Sequence, residues 1–188
     1  MIQFLRKILI TFLLINFALS ALALAGEVIY DPETQTAEPE PLPMPVVKCL
    51  SPLTHISVAS SLGILVLCEQ GEGLKKYRVS LGSGGIDKRL EGDRKTPIGI
   101  YTLGQPKASD RFGTFIPVGY PTAAQKAAGF TGADVGIHGP DRAFQFLGDI
   151  TVMINWTAGC IALGYDLEIN EIKDWVKLKH PKFIQITP

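Results

Sequence analysis

Short apolar runs, several of them alternating with polar residues, recur along the chain after residue 50. Residues 63–69 (GILVLCE) are strongly apolar, and residues 77–81 (YRVSL) alternate as a half-buried strand does. Gly71 and Gly73 mark a turn between these runs, so the pattern predicts a β-hairpin. Similar runs predict five more strands, at residues 54–58, 99–103, 111–118, 135–138 and 183–186.

Two segments carry helical signals. Thr122 and Gln125 have capping-box spacing, helix-favouring residues follow, and Gly129 suits the end of a short helix. Asp166 is predicted to cap a second helix. Its predicted apolar face, flanked by Trp175, consists of Leu167, Ile169, Ile172 and Val176. Several short strands and two short helices together predict a mainly β fold, a sandwich or barrel.

The first 25 residues have the pattern of a signal peptide. Arg6 and Lys7 precede an apolar run at 8–19, and small residues around Ala25 form a cleavage signal. We therefore expect the signal to engage the export machinery and the protein to be periplasmic or cell-wall associated. An uncleaved membrane anchor is the alternative, but the apolar run is short for a membrane span.

The segment that follows, residues 26–49, contains five prolines and several glutamates. This composition predicts an extended, solvated linker, which places one domain at residues 50–188. The whole chain balances 18 basic against 18 acidic side chains. Because no basic stripe is present, the sequence predicts no nucleic-acid partner.

The chain contains three cysteines, an odd number for an exported protein. The simplest scheme joins Cys49 to Cys68 and leaves Cys160 free, and reactivity would explain a free thiol. The alternative is that all three cysteines are reduced and buried.

Cys160 follows a glycine, which allows a tight backbone and the close approach of a substrate. A thiolate nucleophile needs a neighbouring base. Among the three histidines, His138 is the best candidate because it ends a predicted strand between Gly136 and Gly139. Taken alone, either residue would more often be structural than catalytic.

Residues 137–139 (IHG) are followed, after a spacer, by residues 157–161 (TAGCI), which gives the order His, spacer, Ser/Thr-x-Gly-Cys and an apolar residue. This order resembles the signature of the L,D-transpeptidase (YkuD-like) catalytic domain. Residues 92–101 (GDRKTPIGIY) resemble its G-D-x-x-T-P-x-G-x-Y/F segment. Residues 79–82 (VSLG) and 119–121 (GYP) are also typical, and the resemblance covers about residues 54–187.

The chain departs from the family pattern near the cysteine. Many members have a His where this chain has Ala158, and an Arg or Asn where it has Ala162. The spacer at 139–156 is also slightly long. We interpret Ala162 as the mark of a subgroup, since nucleophile and base both remain.

Three residues are weaker candidates for contacts with the substrate. Arg142, four residues after His138, would supply the carboxylate-pairing charge that Ala162 lacks, although a solvated surface arginine is the alternative. Asp93 is a further candidate, with a scaffold role as its alternative. Tyr120 completes this group.

The resemblance implies an L,D-transpeptidase-type β-sandwich or barrel that acts on peptidoglycan stem peptides. Cys160 would attack the carbonyl of the third residue of a tetrapeptide stem, and D-alanine would leave, protonated by His138. An amine of a second stem would resolve the thioester and form a 3–3 cross-link. Water would instead make the protein an L,D-carboxypeptidase, and a protein amine is the third acceptor left open.

The resemblance also implies supporting groups. The backbone carbonyl of Gly139 would orient the histidine, and Thr157 and Gly159 would shape the turn. The N–H groups of Gly159 and Cys160 would hold the oxyanion. No metal or cofactor is implied, and we expect a monomer.

Three rival interpretations remain open. A wall-binding module without catalysis is disfavoured by the presence of both His138 and Cys160. A sortase-like transpeptidase would place Thr-x-Thr before the cysteine, where this chain has 157–159 (TAG). A structural β-domain would have a Cys160 that is inert to thiol reagents.

Overall fold

A computed structural model describes residues 44–188, which form nine β-strands, two α-helices and one 3-10 segment. The predicted signal peptide and most of the predicted linker lie outside these residues. The strands are β1 (His55–Ala59), β2 (Ile64–Glu69), β3 (Glu72–Ser80), β4 (Gly99–Thr102), β5 (Lys107–Ser109), β6 (Gly113–Pro117), β7 (Gly136–His138), β8 (Ile161–Leu163) and β9 (Phe183–Thr187). The helices are α1 (Ala123–Ala127) and α2 (Asp166–Lys179), and the 3-10 segment is Gln145–Val152.

The strands form one sheet in the order β4-β9-β1-β2-β3-β8-β7-β6-β5. Most neighbours are antiparallel, but β9 runs parallel to β1, and β7 runs parallel to β8. The prediction of a mainly β fold with two short helices is confirmed. Neither helix in residues 44–188 has the length and apolar character needed to cross a membrane.

The core consists of aliphatic and aromatic side chains from both halves of this sheet, and α2 packs against it. Ile169, Ile172 and Val176 of α2 are buried as predicted, and Trp175 packs partly buried beside them. The prediction for Leu167 is wrong, because this residue in the first turn of α2 is 71% exposed.

The strongest local signals are confirmed. β2 and β3 pair as an antiparallel hairpin, although β3 begins at Glu72 and is longer than predicted. Thr122 Oγ1 accepts the N–H of Gln125 at 3.2 Å, and the Gln125 side chain accepts the N–H of Thr122 at 2.9 Å. This reciprocal capping box starts α1.

The predicted cap of the second helix is displaced by one residue. The residue before α2 is Tyr165, not Asp166, and the Glu168 carboxylate accepts the N–H groups of Gly164 and Tyr165. Asp166 instead forms an ion pair with Arg142. β5, β8 and the 3-10 segment had no sequence prediction.

The start of the described chain lies on the outer side of β2. Met44, Val47 and Cys49 pack against a small cluster made by Ile64, Val66 and Cys68. Cys49 and Cys68 form a disulfide across 19 residues of sequence. Residues 44–49, which the sequence assigned to the linker, therefore contact the domain.

Candidate active site

His138 is the last residue of β7 and is almost fully buried. Its Nδ1 lies 2.6 Å from the carbonyl oxygen of Gly139. Because a carbonyl can only accept, Nδ1 carries the proton and Nε2 is left as the basic nitrogen. The ring of Phe112 stacks on the imidazole with centroids 3.8 Å apart, which fixes the plane of the ring.

Burial is the main influence on the charge of His138. It lowers the pKa of His138 to about 4, against the opposing effects of the Gly139 carbonyl and Asp141. The positive charge of Arg111 lowers this pKa further. The imidazole is therefore neutral at neutral pH, which is the form that can accept a proton.

Cys160 precedes β8, the parallel neighbour of β7. The register places Ile137 opposite Ile161 and His138 opposite Ala162, so Cys160 lies level with the start of β7. Its Sγ donates to the carbonyl oxygen of Asp134 at 3.4 Å. Burial is the largest effect on this thiol and raises its pKa, while the backbone of Gly136 lowers it.

His138 and Cys160 line one cavity of about 370 Å³. Two aromatic rings, Phe112 and Trp156, form part of its wall. The remaining lining residues are Arg94, Arg111, Thr157 and Ala158. The fold therefore brings the predicted nucleophile and base, 22 residues apart in sequence, to the same opening.

The turn before Cys160 is held by Thr157. The Thr157 hydroxyl donates to the carbonyl of Cys160 at 2.8 Å and accepts the N–H of Gly159 at 3.1 Å. The Gly159 N–H, predicted as an oxyanion donor, thus already has a partner in this structure. The N–H of Cys160 stays the predicted donor.

Asp93 organises the loop that supports this turn. Its carboxylate accepts three backbone N–H groups at 2.8–3.0 Å and pairs with Lys88 Nζ at 2.8 Å. Burial opposes ionisation, but these hydrogen bonds hold the pKa of Asp93 well below its usual range. Lys88, 4% exposed, is its buried counter-ion. Asp93 does not line the cavity, and its contacts are those of a scaffold residue.

Two other predicted contacts also lie outside the cavity lining. Tyr120 is buried, and its hydroxyl donates to the carbonyl of Lys88 at 3.0 Å. Arg142 pairs with Asp166 and donates to the Gln145 side chain at 2.8 Å.

The two arginines that do line the cavity were not among the sequence candidates. Arg94 occupies a variable position of the G-D-x-x-T-P segment. The motif therefore drew attention to this segment but not to the arginine itself. Arg111 lies in the short connection between β5 and β6, and nothing in the sequence marked it. Within residues 44–188, no cluster of three or more His, Cys, Asp or Glu side chains could hold a metal ion.

Comparison with known families defines the class. The model of the L,D-transpeptidase catalytic domain family, YkuD, matches residues 54–184. The chain therefore belongs to the L,D-transpeptidase catalytic domain family, and the resemblance seen in the sequence is confirmed.

The chain is also similar to individual proteins. The Escherichia coli (strain K12) protein YafK, whose name carries the term L,D-transpeptidase, is 36% identical over 74 residues, 38% of this chain and 30% of that protein. The helical cell shape determining protein Pgp2 from Campylobacter jejuni is 25% identical, with a TM-score of 0.58. That match covers 71% of this chain and 47% of Pgp2. The chain thus spans less than half the length of both relatives.

A more distant structure shares the fold alone. An L,D-transpeptidase from Mycobacterium smegmatis is 14% identical, with a TM-score of 0.50 over 72% of this chain and 58% of its own.

Proposed function

We propose that this protein is a peptidoglycan L,D-transpeptidase in which Cys160 is the nucleophile and His138 is the base. The observation that carries the proposal is the shared cavity, where the end of β7 presents His138 and the turn before its parallel neighbour β8 presents Cys160. The Gly139 carbonyl leaves His138 Nε2 free to accept a proton, as a general base requires. Membership of the family supports a stem peptide as substrate.

The resting pair is neutral, because burial raises the pKa of Cys160 and lowers that of His138. His138 would take the thiol proton as the sulfur attacks the carbonyl of the third stem residue. The peptide C–N bond between the third stem residue and D-alanine then breaks, and the proton passes from His138 to the amine of the departing D-alanine. An acceptor amine then attacks the thioester, giving a 3–3 cross-link, or water attacks it, giving a tripeptide. His138 takes the proton of the acceptor and returns it to the Cys160 sulfur as the C–S bond breaks.

The proposed function also requires that the protein be exported to the compartment that holds its substrate. The signal-peptide pattern at 1–25 and the linker predicted to follow it, as far as the segment at 44–49 that contacts the domain, would deliver the domain to the periplasm or cell wall, where peptidoglycan is found. The Cys49–Cys68 disulfide is suited to such an oxidising compartment.

The test compares the purified protein with its Cys160→Ala and His138→Asn variants on a defined disaccharide-tetrapeptide. We expect the wild type alone to release D-alanine, detected by mass spectrometry. A cross-linked dimer identifies a transpeptidase, and tripeptide alone identifies a carboxypeptidase. Equal release by the Cys160→Ala variant, or no release by any form, would contradict the proposal.

A further inference from the structure

Arg111 presents an unused hydrogen-bonding edge at the catalytic cavity. Its Nε donates to Asp141 Oδ2 at 2.7 Å, and the other oxygen of this buried carboxylate accepts the N–H of Ala143 at 3.0 Å. Among residues 44–188, nothing forms a hydrogen bond with the two terminal nitrogens of Arg111, whose side chain is 68% exposed. Asp141 thus holds the guanidinium at Nε, and the edge formed by the two terminal nitrogens is available to a ligand.

The position of Arg111 places it on the His138 side of the cavity. Its guanidinium carbon lies 5.0 Å from the centroid of the Phe112 ring, and that ring stacks on His138 at 3.8 Å. Guanidinium, phenyl ring and imidazole therefore form three neighbouring groups along one wall.

Arg94, the second arginine in the cavity, is more fully engaged. Its Nε donates to Ser83 Oγ at 2.6 Å, and a terminal nitrogen contacts the Trp156 carbonyl at 3.4 Å. These bonds tie Arg94 to the turn before the nucleophile. Arg111 is the better-placed anion site.

We propose that Arg111 binds the terminal carboxylate of the residue that leaves during acyl transfer. This inference rests on the proposed function, in which His138 protonates the departing amine. That amine must lie beside His138, and the carboxyl carbon of an α-amino acid is two bonds from its nitrogen. A planar guanidinium with two free terminal nitrogens matches a carboxylate in a bidentate pair.

The other two positions considered for this charge do not supply it at the cavity. Ala162 is buried and carries no polar group. Arg142, the sequence candidate for this task, pairs with Asp166 away from the cavity lining. Arg111 supplies the charge from the connection that leads into β6, the neighbour of β7 on the side away from β8.

The experiment combines two substrates with two enzymes. The substrates are a disaccharide-tetrapeptide ending in D-alanine and the same compound ending in D-alaninamide, which lacks the carboxylate. Loss of one charged hydrogen-bonded pair predicts a fall in kcat/KM of about 10- to 100-fold for Arg111→Gln on the acid. On the amide, the variant and the wild type should differ by less than about threefold, because that pair is already absent.

Two further variants sharpen the result. Arg89→Gln is the matched control, since Arg89 is also an exposed arginine paired with an aspartate, Asp87, and placed over a phenyl ring, Phe130. It lies outside the cavity lining and should leave kcat/KM on both substrates unchanged. Arg111→Lys keeps the charge without the planar guanidinium. Its kcat/KM on the acid should lie between that of the wild type and that of Arg111→Gln.

The outcomes separate the two proposals. Equal losses on acid and amide by a folded Arg111→Gln protein, as judged by circular dichroism, overturn the carboxylate site and leave the proposed function standing. A wild type that cleaves neither substrate overturns the proposed function and this site with it.

Discussion

Cys160 and His138 lie where their surroundings favour uncharged side chains. Burial raises the pKa of the Cys160 thiol and lowers the pKa of His138 to about 4. The backbone of Gly136 lowers the pKa of Cys160 and that of Gly139 raises the pKa of His138, but in each case the effect of burial is larger. The free protein therefore holds a thiol and an imidazole, not a thiolate and an imidazolium.

The first residue-scale prediction concerns the reactivity of Cys160. Only the thiolate is alkylated, so the rate with iodoacetamide should rise throughout from about pH 5 to about pH 10, with an apparent pKa above that of free cysteine. Intact-mass spectrometry at each pH measures this rate. Protein unfolded and reduced in urea provides the reference. A fast, pH-independent rate near neutrality would reveal a preformed ion pair and contradict the prediction.

The second prediction follows from the lowered pKa of His138. Between its folded value of about 4 and an ordinary value of about 6.5, the unfolded state binds more protons, so stability falls as the pH falls. We expect a loss of about 2 kcal/mol from about pH 7 to about pH 5. Urea unfolding at both pH values measures it.

The control for this effect is His138→Asn, which should show a smaller loss over the same interval. Asp93 and Asp141 also have lowered pKa values, but their stabilisation disappears only at lower pH, where the unfolded carboxyl groups protonate. An equal loss in wild type and variant would show that His138 does not cause it.

The predictability of the site differs from residue to residue. His138 and Cys160, which line one cavity, could be selected from the sequence because each lies in a short motif that resembles the family signature. Arg94 and Arg111 could not be assigned, because they reach the cavity from loops that only the folded sheet brings together. The partner of the Gly159 N–H depends on the rotamer of Thr157, which sequence does not specify.

At the scale of elements, the turn before β8 rests directly on the loop that Asp93 organises. Gly159 has a φ of 128°, and a Cβ at this position would lie 2.5 Å from the carbonyl oxygen of Lys95. The contact is with backbone, so a side chain cannot move aside to relieve it. Glycine is required here for both conformation and space.

Gly159→Ala should therefore destabilise the protein by about 3 kcal/mol, from backbone strain and overpacking together. Gly129→Ala is the matched control, because Gly129 has a φ of 86° with open space around its Cβ position. That variant should lose only about 1 kcal/mol, from conformation alone. Urea unfolding measures both, and equal losses would refute the role of the Lys95 contact.

Elements with a local signal were predicted, and some elements that lack one, such as β8, were not. The capping box of Thr122 and Gln125 is complete within four residues, so it could be read directly. β8 has three residues and is defined by its pairing with β3 and β7, which leaves too little periodicity to detect. Asp166 was a plausible cap, but its side chain pairs with Arg142 from another part of the chain.

At the scale of the molecule, the sheet joins segments that are far apart in sequence. β9, at the chain end, lies between β4 and β1, an arrangement that no local pattern encodes. The disulfide is attached to β2, whereas the candidate site lies on β7 and β8, with β3 between them. The disulfide and the candidate site are thus located on different parts of the sheet.

This separation predicts that removing the disulfide lowers stability but not catalysis. Opening a link across 19 residues should cost roughly 3 kcal/mol on the chain-entropy account, measured by urea unfolding of a Cys49→Ala/Cys68→Ala variant. Val47→Ala, on the same segment, controls for lost packing and should cost less. D-Alanine release per folded molecule, measured without urea, should match the wild type. A loss of that activity would show that β2 and β3 transmit the constraint to Cys160.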